Sequence, residues 1–121
     1  MKKQILHEKV EFENIRALVE WAGDKYGEKT AFSYREKAND KEVSKISYQK
    51  FRDDVRALTS ELISMGIDGK HCVVIGKFSY EWALTYYSVL SSGGVLVPLD
   101  RDWIADDLAD TASKANADFL F

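Results

Sequence analysis

The chain has 121 residues, 45% of them hydrophobic and 31% charged, with a formal net charge of −3. That supports one core, hence a single domain or part of one, and excludes nucleic acid as a main partner, because phosphate binding needs a clustered basic excess. No apolar run reaches the roughly 20 residues of a membrane span, the opening MKKQILHEKVEFEN lacks a signal-peptide core, and the lone Cys72 has no partner for a disulfide, all features of a cytoplasmic chain.

Residues 1–11 read as an irregular arm. Asn14 is placed to cap a helix to Tyr26, with Ile15, Leu18, Val19 and Ala22 on one face and Gly27 as its stop. Thr30–Tyr34 alternates and is β-prone, and Val43–Ser47 reads as the returning strand of a hairpin. Ala38, Asn39, Asp40 and Lys41 supply its turn chemistry. Residues 12–47 thus form a helix plus hairpin.

Ser47 caps the clearest helix. Tyr48, Phe51, Val55, Leu58, Leu62 and Met65 follow alternating spacings of three and four, one apolar stripe that ends at Gly66. His71–Lys77 holds the next strand, centred on Val73, Val74 and Ile75, in which Cys72 is a buried thiol. Ser79 then caps a helix whose residues Trp82, Ala83, Tyr86, Val89 and Leu90 recur at helical spacing. The strand Val95–Leu99 follows, Asp102 caps a last helix through Lys114, and Ala117–Phe121 is the final strand.

Residues 47–121 are therefore a helix followed by βαβαβ, a parallel unit with right-handed crossovers. If each strand joins beside its predecessor, both crossover helices lie on one face. The predicted fold class is α/β, and the stretch Tyr80–Asp100 organises it. Because the sequence stops inside the apolar run Phe119–Phe121, the chain reads as an incomplete piece of something larger.

Candidate chemistry is sparse. Gly93-Gly94 lies where helix runs into strand, the wrong end of a parallel sheet for a ligand, and reads as a helix stop. The strand-to-helix loops are better placed: Gly76-Lys77-Phe78-Ser79 offers Lys77 and a helix start to an anion, and Asp100-Arg101-Asp102-Trp103 offers carboxylates. Ala105 and Thr111 occupy the positions that a calcium loop fills with glycine and glutamate. Asp102, Asp106, Asp107 and Asp110 therefore read as a cap and a complement to the helix dipole. His7 and His71 are isolated. Tyr80, Trp82, Tyr86 and Tyr87 read as a helix buried on two sides rather than a base-stacking platform.

Two stretches carry a resemblance. Ile46-Ser47-Tyr48-Gln49-Lys50-Phe51 and Leu90–Asp100 (LSSGGVLVPLD) resemble the ordered opening elements of the adenylate-forming, AMP-binding superfamily. That superfamily includes acyl-CoA synthetases, beetle luciferases and the adenylation domains of peptide synthetases, and the chain looks most like long-chain fatty acid–CoA ligases. Phe78 departs from the asparagine common in that family. The resemblance implies an N-terminal piece of a ligase that joins a carboxylate to AMP and passes the acyl group to coenzyme A. ATP and magnesium would be the parent's cofactors and the remainder of the parent its partner. The family's phosphate loop, ribose-binding aspartate and catalytic lysine match nothing up to Phe121. No catalytic, cofactor-binding or metal residue is therefore assigned, and the chain alone is expected to be inactive. Two other readings stay open: an interaction module that associates through its terminal strand, and a small anion- or nucleotide-binding domain using Lys77 and Ser79.

Overall fold

The structure, a computed structural model, describes residues 7–121, so the expected arm lies partly outside the described residues; residues 7–11 form no helix or strand. Helix α1 (Ile15–Tyr26) begins where Asn14 accepts the Ala17 N–H at 2.8 Å. Strands β1 (Thr30–Tyr34) and β2 (Ser44–Ser47) pair antiparallel, with a bulge between Thr30 and Phe32. Their turn is closed by Asp40, whose carboxylate accepts the Lys37 N–H at 3.0 Å. Helix α2 (Tyr48–Ser64) and helix α3 (Tyr80–Ser91) start on the hydroxyls of Ser47 and Ser79, which accept from Lys50 and Trp82 at 3.0 and 3.1 Å. All three caps are those the sequence predicts.

The fourth is not. Helix α4 (Ala105–Lys114) has Ile104 at its cap position, with no side-chain cap bond. The Asp100 carboxylate accepts the Asp102 N–H at 2.9 Å, which builds a turn that holds Asp102 in the loop, short of the helix. Asp106 and Asp107 do occupy the first turn, and Lys114 the last, in line with the helix dipole. The stripe on α2 also ends earlier than expected. Phe51, Val55 and Leu62 are buried, but Met65 is 51% exposed and Thr59 is buried instead.

Strands β3 (His71–Ile75), β4 (Val95–Leu99) and β5 (Phe119–Leu120) form a parallel sheet in the order β4-β3-β5. The strand expected over Ala117–Phe121 is shorter, although the Asp118 N–H still reaches the His71 carbonyl and the Phe121 N–H that of Val73, both at 2.8 Å. The chain steps from β3 to one side and then back across it to the other. Two right-handed crossovers in opposite directions put α3 and α4 on opposite faces, correcting the expectation that they share one. Cys72 packs with Val89 of α3, whereas its neighbour Val73 points to the other face and is equally buried.

The core has two parts. Val19, Ile46, Phe51 and Val55 form one cluster, against which Tyr80, Leu84 and Tyr87 of α3 pack; Leu62, Ile67, Cys72 and Val89 form the other. Helix α3 therefore lies between α1 and α2 on one side and the sheet on the other. Its exit is tight: a Cβ on Gly94 would stand 2.8 Å from Ile67 Cγ2 and 3.0 Å from Val89 Cγ1. Its entrance is pinned by the Tyr80 hydroxyl, which donates to Asp54 at 2.5 Å, while Lys50 donates to the same carboxylate at 2.8 Å. Burial, and then this bond, raise the Tyr80 phenol well above its ordinary range. Partial burial pushes Asp54 up, but the hydrogen bonds from Lys50 and Tyr80 outweigh it and lower the carboxyl's pKa.

Gly94→Ala is expected to lose about 1–3 kcal/mol in urea denaturation, because the neighbours are a buried valine and isoleucine with no room to yield. Tyr80→Phe is expected to cost about 1 kcal/mol at neutral pH. Asp54 is depressed in the folded chain, so its contribution is present above its unfolded pKa of about 4 and lost as pH falls through the folded value. The gap between wild type and Tyr80→Phe should close over that acid range; a gap independent of pH would show that the ionised Asp54 is not the acceptor.

Candidate functional site

Ligands of open parallel sheets gather at the carboxyl ends of the strands. Here the loops after β3 and β4 leave a cleft of about 620 Å³ at that end, lined by Gly76, Lys77, Phe78, Trp82, Tyr86, Pro98, Leu99, Asp100, Arg101 and Asp102. One wall is a ladder of rings. Phe78, in the loop, meets Trp82 edge-on with centroids 4.9 Å apart, and Trp82 stands 5.2 Å from Tyr86. Spacing of four along the first turns of α3 puts the three rings in a row. Phe78 is 88% exposed, an unusual position for a phenylalanine.

The opposite wall carries both signs of charge. Asp100 is held by its own loop, through the turn to the Asp102 N–H, and Arg101 Nε stands 3.7 Å from the Asp102 carboxylate. Lys77 borders the cleft and also an adjoining hollow that reaches Phe121. The arrangement offers stacking and charge pairing, which bind and orient a ligand.

Of the residues singled out in the sequence, Lys77 reaches the cleft. Ser79 lines only the neighbouring hollow, and its hydroxyl is engaged as the cap of α3. The aromatic set divides. Trp82 and Tyr86 face the cleft, while Tyr80 and Tyr87 pack into the core beside Phe51. The sequence signal for that split was the spacing of Phe78, Trp82 and Tyr86, which the burial reading of α3 absorbed.

Gly93 and Gly94 lie at the far end of the sheet. Gly93 has φ 82° and its carbonyl accepts the Gly69 N–H at 3.0 Å, so the pair is a helix exit. Cys72 is wholly buried, and burial, with a smaller contribution from Asp118, raises its thiol pKa, the opposite of activation. His71 Nδ1 lies 2.5 Å from the Ala115 carbonyl, tying β3 to the end of α4. Among the described residues no three His, Cys, Asp or Glu side chains converge to hold a metal.

Comparison with known proteins follows the same lines. No curated protein sequence matches the chain. The N-terminal subdomain of Klebsiella oxytoca NpsA superposes with a TM-score of 0.79 at 17% identity, over 91% of this chain and 27% of that one. CmiS6 gives 0.78 at 19% identity over 97% and 30%, and IdnL1 gives 0.79 at 17% over 92% and 22%. NpsA has also been solved with 3-hydroxyanthranilyl-AMSN and, fused to ThdA, as an adenylation–PCP di-domain. The chain thus spans less than a third of the length of these structures, and at such identities they establish the fold alone. The family follows from sequence: residues 19–121 match the profile of the AMP-binding enzymes. The chain belongs to the AMP-binding enzyme family.

Proposed function

We propose that residues 1–121 form a single partial domain, the N-terminal part of an ATP-dependent acid–CoA ligase. The observation that carries this is the family match over residues 19–121. In the parent, a carboxylate oxygen attacks the α-phosphorus of ATP and pyrophosphate leaves; the thiol of coenzyme A then attacks the acyl carbon and AMP leaves. A fatty acid as the acyl donor rests on the resemblance of Leu90–Asp100 and its companion stretch to fatty acid–CoA ligases.

The residues present do not fit ATP and magnesium. No metal-binding group converges among the described residues, and the glycine pair lies away from the strand ends. Those ligands are assigned to the rest of the parent, and no step is routed through this chain. Its contribution is a scaffold whose cleft, with Trp82, Tyr86 and Lys77, borders the ligand end of the sheet. No helix among the described residues is long and apolar enough to cross a membrane. A cytoplasmic setting and the absence of a nucleic-acid partner are part of the proposal, supported by the single cysteine and the charge of −3.

Two observations favour secondary readings. Among the described residues strand β5 pairs with β3 alone, and Leu120 is 71% exposed, an edge suited to self-association. Lys77 at the cleft after β3 and β4 supports the other, a metal-free anion or nucleotide site on the chain itself.

The 121-residue chain is expected to release no pyrophosphate from ATP with fatty acids and magnesium, whereas the parent reading frame does so and forms an acyl thioester with coenzyme A. Turnover by the short chain overturns the division of labour. Adenylation by the parent without transfer to coenzyme A overturns the acceptor and favours a carrier-protein enzyme. For the edge, sedimentation should show a dimer that Leu120→Lys converts to monomer, and a monomeric wild type removes that reading. Calorimetric silence with nucleotides up to millimolar concentration removes the other.

A further inference from the structure

The two margins of the parallel sheet differ. At β4 the Val95 N–H donates to the Lys70 carbonyl at 2.8 Å, so by alternation Val97 and Leu99 also turn their backbone groups toward β3, and Leu96 and Pro98 turn theirs outward. Pro98 has no N–H to offer there, the mark of a strand that ends a sheet. At β5 the outer edge is intact. Phe121 donates to the Val73 carbonyl at 2.8 Å and accepts from the Ile75 N–H at 2.9 Å, so it faces β3. Its neighbour Leu120 therefore presents both its N–H and its C=O to the outside, where neither finds a partner among the described residues.

The Leu120 side chain is uncovered as well. It pairs in register with Val73, so both lie on the face of the sheet opposite α3, whereas Phe119 and Phe121 on the other face pack against Leu62, Cys72 and Val89. Val73 is wholly buried, yet Leu120, one strand further out, is 71% exposed. Helix α4 lies on that face and leaves it bare. Handedness says what would cover it. The step from β4 across β3 to β5 put α4 on this face. A further right-handed crossover in the same direction sets its helix on the same face, beside α4 and over Leu120.

We infer that β5 is an interior strand in the parent enzyme: a further parallel strand pairs with the Leu120 backbone, and the helix leading to it covers the Leu120 side chain. Both are supplied by the rest of the parent, so the inference rests on the reading of this chain as part of a larger ligase. A second copy of the chain is the weaker occupant. Two strand residues bury little of the roughly 1,200 Å² that a stable interface between separate molecules takes. A partner in the same polypeptide docks at high effective concentration and needs no such area.

The test is residue-resolved hydrogen exchange by mass spectrometry, on the 121-residue chain and on the parent enzyme. The Leu120 amide is expected to exchange freely in the short chain and to slow at least about a hundredfold in the parent, as an amide inside a sheet does. Leu120→Lys should melt with wild type in the short chain, where the side chain lies in solvent, and below wild type in the parent. Free exchange at Leu120 in a parent that releases pyrophosphate from ATP would overturn the inference and leave the ligase reading standing. A protected Leu120 in a parent that adenylates no carboxylate would uphold the inference and remove that reading. Protection that appears in the short chain and vanishes on dilution would assign the edge to a second copy, and the inference would fall.

Discussion

The structure depends on the burial of α3 on two sides. Val89 is wholly enclosed between the helix and the sheet, and Tyr80, Leu84 and Tyr87 close against α1 and α2 on the opposite side. Burying one such side chain is worth about 1.5–3 kcal/mol, so this helix carries a large part of the apolar driving force of a small domain. A helix apolar most of the way round is stable in water only when both flanks are covered. The α1–α2 pair and the parallel sheet are those covers, and neither would hold its place without the helix between them.

Polar groups fix how the covers sit. The Asn14, Ser47 and Ser79 caps define where three helices begin, and the bond from Tyr80 to Asp54 sets the rotation of α3 on α2. Gly23 does the same for α1, in another way. A Cβ there would meet Arg52 Cδ at 2.5 Å, so the missing side chain lets the arginine stem lie flat across the helix while its head reaches Asp24. The positions of the cleft residues follow from these constraints. Once α3 is set, Trp82 and Tyr86 fall along the mouth of the sheet.

Much of this was legible in the residues. Element order, the caps and the α/β class are local properties, written in the spacing of Phe51, Val55 and Leu62 or in a serine before a helix. What was not legible is what depends on pairs distant in sequence. The position of β5 beside β3 rather than β4 is a sheet-wide choice, and it moved α4 to the other face. Asp102 failed as a cap because Asp100 captured its N–H first, a competition between two aspartates that the sequence cannot rank. Trp82 and Tyr86 gave the same signal whether they faced a core or a cleft. The buried Thr59 sits on the same face as the α2 stripe, where a polar residue gave no warning of burial.

The strand order also governs how firmly each part of the sheet is held. The His71–Asp118 contact closes 47 residues of chain, whereas β3 meets β4 across about half that distance. By loop-closure entropy the doubling costs only about 0.6 kcal/mol, but β5 sets two paired residues and the flanking bonds of Asp118 and Phe121 against it, where β4 pairs five residues with β3. The last strand is therefore the piece that lets go first. In a chain of these residues alone, its amides are expected to exchange through openings that leave the β3–β4 ladder and α3 intact.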